Sequence, residues 1–359
     1  MIKKISNKNK KTMKRLLIVS ILIPVALSAS IYSKYSLTCR DEKGSPVDWY
    51  TLYKLPKQPQ NTKSQMIKEG SGYAYMTEKS QTWSLSSQSI ANSASMPGLT
   101  LNALYTSTFD NNNKLGYIMY NDQFDNKSLA SRAHAKGIVL FDDKSIVWIA
   151  HSIPNYPPKQ ATRQYGIDDG QLIYGQSMIC LSLDISSLEQ IGKQLMLAYP
   201  QIYDSFIPDS LKSLSPSFTL VYNGKRNSLS PFSNVEVLKT LGNNEFVTMY
   251  KSTYFANDLY SELVAKYAKS NLLVETWSNG VGTDFYIISG GIFDPGHPVV
   301  GNGLGIPTRL YKIIIEKNSQ KVQAYLMPNA ALPVADLPKY QVPMAVIEQA
   351  TGMKFNLGE

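Results

Sequence analysis

The sequence predicts a mixed α/β (α+β) protein made of two intimately packed halves. Three observations carry that expectation. Apolar, β-branched runs of strand length alternate with segments of helical periodicity in both parts of the chain. No low-complexity linker separates those parts. A hydrophobic fraction of 43% and 23 tyrosines in 359 residues supply ample material for a sizeable core.

Taken in order, the chain opens on a segment that reads as a secretory signal. Lys3, Lys4, Lys8, Lys10, Lys11, Lys14 and Arg15 form a basic region, followed by the apolar run 16–27 and the small residues Ser28, Ala29 and Ser30. The run is shorter than the ~20 residues that span a bilayer. Cleavage after Ser28 or Ser30 leaves an exported chain, secreted or delivered to a periplasm or lumen, with no stable membrane association. An uncleaved amino-terminal anchor is the competing reading. The formal charge of +9 shrinks accordingly. Seven of the 36 basic residues lie in this segment, and the remaining 29 face 27 acids, a net of +2. A nucleic-acid partner must therefore be met by a local basic patch.

Cys39 and Cys180 are an even pair in an exported chain, which reads as a disulfide; two buried thiols are the alternative. Residues 47–55 alternate as a strand after the turn at Gly44-Ser45-Pro46, and 72–78 form a shorter strand. Residues 84–98 are Ser-rich and irregular. A strand at 114–122 follows the Asn111-Asn112-Asn113 turn, and residues 132–158 give a hairpin. The strand at 174–185 carries Cys180. Ser186 and Glu189 suggest a capping box, with Leu188, Ile191 and Leu195 on one helical face. FTLVYNGKR (218–226) and EFVTMYK (245–251) read as a strand pair. Asn257 caps a helix over 258–270, and 272–277, 284–293, 309–317 and 322–328 are strands. A short helix and a tail close the chain.

The hairpin carries the chemistry. Residues two apart on a strand share a face, so His134 and Lys136 present an imidazole and an ammonium side by side. That pair suits a phosphate ester: the lysine neutralises non-bridging oxygens while the histidine attacks phosphorus or moves a proton. Asp142 either orients His134 or ends the strand. His151 is a structural histidine near the site, and Trp148 and Tyr156 are core or rim aromatics. No cysteine or histidine cluster suggests a metal, and no P-loop, dinucleotide fingerprint or nucleophile elbow is present.

HAKGIVLFD (134–142) and VWIAHSIPNYPP (147–158) resemble the deoxyribonuclease II family. So do LTCRDEKGSPVDWYTLYKLP (37–56), YND (120–122), YGQSMICLSL (174–183), KQLMLAYPQIYD (193–204) and 251–277. The resemblance covers roughly residues 37–277. It implies a phospholipase D-like architecture of central β-sheets flanked by helices, in two halves that each give one His-x-Lys to a shared site, and a Cys39–Cys180 disulfide. It also implies metal-independent endonucleolytic cleavage of DNA at acid pH through a phosphohistidine, leaving 3′-phosphates, with no cofactor. The chain then divides into a signal (1–30), a first half (31–205) with His134 and Lys136, and a second half (206–359).

In that second half the family's second motif is degenerate. Thr283 and Phe285 stand where its His and Lys are expected. Besides His134 and His151 the chain has one other histidine, His297. Three readings follow: a fold kept for binding DNA or another phosphodiester without catalysis, a nuclease in which His297 takes the second role, and a homodimer joining two His134–Lys136 half-sites. A phosphodiesterase acting on small or lipid diesters is a further class.

Overall fold

The computed structural model describes residues 31–58, 63–80, 82–125, 132–257, 263–264, 272–273, 280–281, 285–300, 304–316, 321–330, 332 and 334–355. The signal at 1–30 lies outside them, as does the helix expected over 258–270 apart from residues 263–264. The chain divides into two compact units, one ending at Thr248 and the other beginning at Met249. Residues 206–248 are counted with the first.

The first unit is a mixed α/β body. Its strands are β1 (Cys39–Arg40), β2 (Pro46–Val47), β3 (Trp49–Lys54), β4 (Tyr73–Thr77), β5 (Ser84–Leu85), β6 (Gly116–Asn121), β7 (Lys136–Phe141), β8 (Ser145–His151), β9 (Gln176–Asp184), β10 (Ile202–Phe206) and β11 (Ser233–Lys239). The division between the units falls within β12 (Glu245–Lys251), which pairs with β11. Its helices are α1 (Gln65–Glu69), α2 (Met96–Thr100), α3 (Asn102–Thr106), α4 (Leu188–Ala198), α5 (Asp209–Lys212) and α6 (Pro216–Tyr222). Eight strands form one antiparallel sheet in the order β10-β6-β7-β8-β9-β3-β4-β5.

Both faces of this sheet are covered at its centre, which is why GIVLF reads as a continuous apolar run. Every residue of β6 and β7 is buried. Along one face, Met119, Ile138, Ile149, Cys180 and Tyr50 follow one another across five strands in register. All five belong to one core cluster. On the other face Phe141 meets Phe218 of α6, ring centroids 5.3 Å apart and edge-on. The expected disulfide is present: Cys39 and Cys180, 141 positions apart, are joined in this core.

Two local expectations are corrected. FTLVY is helix, not strand. Ser215 accepts the Phe218 N–H at 3.0 Å and Pro216 fills the first turn. Phe218 and Val221 then face inward, three apart. The Ser186–Glu189 capping box does not form. Asp184 accepts the Ser186 N–H at 3.0 Å instead, and Glu189 accepts from Ser215 and Ser217 hydroxyls at 2.6 Å. Leu188, Ile191 and Leu195 do line the buried face of α4.

The second unit holds β13 (Leu272–Leu273), β14 (Gly280–Val281), β15 (Phe285–Ile292), β16 (Val299–Val300), β17 (Leu304–Gly305), β18 (Arg309–Glu316), β19 (Val322–Pro328), β20 (Gln341–Val342) and α7 (Met344–Thr351). Five strands pair antiparallel in the order β14-β15-β18-β19-β20. Tyr311, Ile313 and Ile315 alternate into its core, where Ala324 and Ile347 join them. Among the described residues no helix is long and apolar enough to cross a membrane.

Candidate active site

The site lies at one end of the large sheet, where β6 ends, β7 begins and β8 ends. Asn121, Lys136, His151 and Met178 are register partners across four strands there. Gly137 keeps the row close-packed. A Cβ at that position would collide with the Tyr120 hydroxyl and the Ile149 carbonyl. Tyr120 in turn accepts from the Trp148 indole at 3.1 Å, so Trp148 belongs to the core, as does the fully buried Tyr156.

His134 and Lys136 are joined through one carboxylate. Asp122, just past the end of β6, places Oδ2 2.6 Å from His134 Nδ1 and accepts from Lys136 Nζ on Oδ1 at 2.6 Å. Burial pushes the Asp122 carboxyl up, but hydrogen bonds and charge from Lys136 and His134 outweigh it and hold it below the usual carboxylate range. An ionised carboxylate only accepts, so His134 carries its proton on Nδ1 and turns Nε2 outward. The His134 side chain is 79% exposed, whereas those of Asp122 and Lys136 are 8% and 3% exposed. A reachable imidazole thus stands on a buried ion pair.

Neighbouring residues fix the loops around it. Asn121, fully buried, donates to the Ile153 and Tyr156 carbonyls at 3.0 and 3.1 Å and pins the segment after β8 to the end of β6. His151 Nδ1 accepts the Ile153 N–H at 3.1 Å, and its ring meets Tyr156 edge-on at 5.0 Å. Burial, helped by the nearby Lys136 charge, pushes the His151 imidazole down to about 3. It is therefore neutral near neutrality, with a buried Nε2 that has no hydrogen-bond partner among the described residues.

Asp142 stands at the opposite end of β7. It accepts from the Lys144 and Ser145 backbone N–H groups at 2.8 and 2.7 Å and also bonds Ser36, closing the β7–β8 turn. Asp122 is the carboxylate that touches His134. Sequence reading gave it no role, although it ends the Tyr-Asn-Asp triplet and follows the strand that pairs with Lys136.

His297 lies in the second unit, in an Asp-Pro-Gly-His turn. Its backbone N–H donates to the Asp294 carbonyl at 2.9 Å, and its Nδ1 lies 3.1 Å from the same oxygen. Hydrogen bonds from Arg309 and Thr308 hold the Asp294 carboxyl down at about 2. Phe285 opens β15; Thr283 lies outside the described residues. Among the described residues no three His, Cys, Asp or Glu side chains converge on a metal position.

A sheet end that offers an imidazole and an ammonium on one carboxylate is suited to phosphate-ester chemistry. The sequence profile of deoxyribonuclease II matches residues 38–287. Cell death-related nuclease 6 of Caenorhabditis elegans is 30% identical over 322 residues, 88% of this chain and 82% of that protein. Plancitoxin-1 of Acanthaster planci is 31% identical over 261 residues, 72% of each chain. Deoxyribonuclease-2-alpha of Sus scrofa is 30% identical over 266 residues, 73% of this chain and 71% of that protein. The chain belongs to the deoxyribonuclease II family. Residues 272–358 also match the profile of the DNA/RNA non-specific endonucleases, overlapping the first match at 272–287. Thr283 and Phe285, where the family resemblance leads one to expect the second His and Lys, fall in that overlap.

Proposed function

We propose that this protein is an exported, metal-independent endonuclease that cleaves DNA phosphodiesters at acid pH, with His134 as nucleophile. One observation carries the reading: Asp122 bonds His134 Nδ1 and Lys136 Nζ at the same 2.6 Å. The carboxylate fixes the tautomer in which Nε2 holds the attacking lone pair, and it anchors the ammonium beside it. Nε2 bonds to phosphorus as the bond to the 5′-oxygen breaks, and that oxygen takes a proton from the second acid. Lys136 balances the charge on the non-bridging oxygens. Water, giving a proton back to the second acid, then displaces His134 Nε2, leaving a 3′-phosphate, the original imidazole and the second acid restored. His297 is proposed as the second acid, because it is the remaining histidine of the chain outside the first unit. Relatives named as a deoxyribonuclease and a nuclease, matched over most of the chain, support DNA as substrate. The amino-terminal 30 residues support export.

A second reading is a secreted binder of nucleic acid without catalysis. What favours it is the expectation, from the family resemblance, that Thr283 and Phe285 stand at the places of the second His and Lys. Cleavage of supercoiled plasmid at mildly acidic pH with EDTA, by wild type, His134→Ala and His297→Ala, decides between them. Nicking lost in both variants supports the nuclease with His297 in the second role. Loss in His134→Ala alone keeps the nuclease and removes His297 from it. Plasmid retained on a gel but never nicked by wild type means that the protein binds without cutting.

A further inference from the structure

A cavity of about 580 Å³ opens where the segment after β6 meets the segment after β8. Phe124 and Asp125 line it, two and three positions beyond Asp122. The Phe124 Cα therefore lies within about 7 Å of the Asp122 Cα. Asp125 donates its N–H to Asn155 Oδ1 at 2.9 Å, which fastens the two segments together. The cavity thus begins one or two residues from the carboxylate that holds His134.

Its aromatic walls are fixed. Tyr203 lies flat against Phe124, ring centroids 3.8 Å apart and 8° from parallel, and the Lys159 ammonium stands 5.4 Å from the Phe124 centroid. Tyr203 is itself held by a 2.8 Å hydrogen bond to the Pro157 carbonyl. Tyr165, a buried wall, donates to the Ile90 carbonyl at 2.8 Å.

The polar lining does not suit a phosphate. Among the described residues no lysine, arginine or histidine lines the cavity. It offers hydrogen-bonding capacity that the fold leaves unused. Asp125 already faces Lys159, Oδ2 to Nζ at 3.7 Å. Among the described residues, however, Asn155 Nδ2 and the Gln164 side-chain amide have no partner. Asp168 accepts the Gly170 N–H on Oδ1 at 3.0 Å and leaves Oδ2 open. A nucleobase matches this set, with a flat apolar body for the aromatic walls and an edge of donors and acceptors. A carboxylate oxygen needs an N–H opposite it. The exocyclic amines of cytosine, adenine and guanine supply one where thymine presents a carbonyl.

We infer that this cavity holds the base of the nucleotide next to the phosphodiester at His134, and that Asp168 favours a base carrying an exocyclic amine. This rests on the reading of His134 and Lys136 as the phosphate site. A base whose pairing edge meets Asp168 and Gln164 has left its complement, so the strand taken up is unpaired at that position.

The test is binding of short fluorescent single strands by the full chain carrying His134→Ala, which leaves the strand uncut, read by anisotropy. Oligo-dC should bind tighter than oligo-dT, and an abasic strand of equal length at least fivefold more weakly than oligo-dC. Phe124→Ala and Gln164→Ala should each weaken oligo-dC about threefold or more and leave the abasic strand as it was. Gln164 is exposed, so its loss leaves the fold intact. Asp168→Asn puts an N–H donor in place of the open oxygen and should narrow the gap between oligo-dC and oligo-dT. Equal affinity for oligo-dC and the abasic strand overturns the base site. So do variants that weaken both strands alike, or a chain that binds neither. Oligo-dT bound as tightly as oligo-dC overturns the amine preference. Plasmid nicking by the chain with His134 intact is read separately. Base-dependent binding without nicking keeps the cavity and removes the nuclease reading; nicking with base-independent binding does the reverse.

Discussion

His134 Nδ1 and Asp122 Oδ2 stand 2.6 Å apart, one partner almost wholly exposed and the other almost wholly buried. That asymmetry makes the pair informative. The imidazole can meet a substrate, while its orientation is set from below by a group that solvent barely reaches. Asp122→Asn keeps the shape of the carboxylate but removes the charge and offers His134 the wrong tautomer. Orienting carboxylates of this kind are worth about 10²–10⁴ in kcat. Plasmid nicking should fall by that range. The same change strips the nearly buried Lys136 of its counter-charge, at a cost of roughly 3 kcal/mol or more. A variant with wild-type nicking and wild-type melting would show that Asp122 neither orients nor anchors.

Much of this was legible in the chain. The strands announced themselves because their burial alternates, as in β3 and β18, or because both faces are covered, as in β7. The disulfide followed from an even cysteine count. Asp122 did not announce itself as the partner of His134, because the pair is made by the register of β6 on β7 and the two lie twelve positions apart. FTLVY misled because aromatic and β-branched residues favour strands, while the Ser215-Pro216 start that decides the matter sits just outside the run. Asp142 drew attention by adjacency along the strand, yet adjacency placed it at the wrong end.

Lys54 gives the second prediction. It lies in the stretch 37–56 that resembles the family, where a cation invites a phosphate role. The structure encloses it instead. Its ammonium, fully buried, shares its three N–H groups among the carbonyls of Leu55, Gly70, Leu172 and Tyr174 at 3.0, 2.8, 2.9 and 2.6 Å. Burial pushes it down to about 8, still protonated at neutral pH. Lys54→Met leaves those carbonyls unpaired, at about 3–5 kcal/mol. Melting should fall by roughly 8–15 °C, with the activity of the folded fraction retained at low temperature. Lost activity with unchanged melting would instead mark Lys54 as a binding group.

The third prediction concerns the Cys39–Cys180 bond, which ties the short β1 to the central β9 across 141 positions. Closing so long a loop typically contributes about 2–5 kcal/mol. The double variant Cys39→Ala, Cys180→Ala should melt correspondingly lower. Dithiothreitol under mildly denaturing conditions should bring wild type down to the same value and leave the variant where it is. A reductant effect on the variant would mean that the loss has another origin.

His151 supplies the last prediction, and its sign follows from burial. The folded-state value near 3 lies below the ~6.5 of an unperturbed imidazole, so between those limits the unfolded chain binds a proton that the folded chain refuses. Stability from this group is complete above about pH 6.5 and falls as pH drops toward 3, by at most about 1.4 kcal/mol per pH unit. A protein proposed to work in acid thus carries a group that acid penalises, placed in register with Lys136 of the site itself. His151→Gln should be about 1 kcal/mol less stable near pH 7, where it loses the fitted ring and the Ile153 N–H bond. Near pH 4.5 the deficit should vanish or reverse, because wild type has by then lost roughly 2 kcal/mol that the variant cannot lose. Carboxylates elsewhere act alike in both proteins and cancel from the difference. Urea melts at the two pH values measure it, and parallel stability curves for the two proteins would mean that the folded state admits the proton after all.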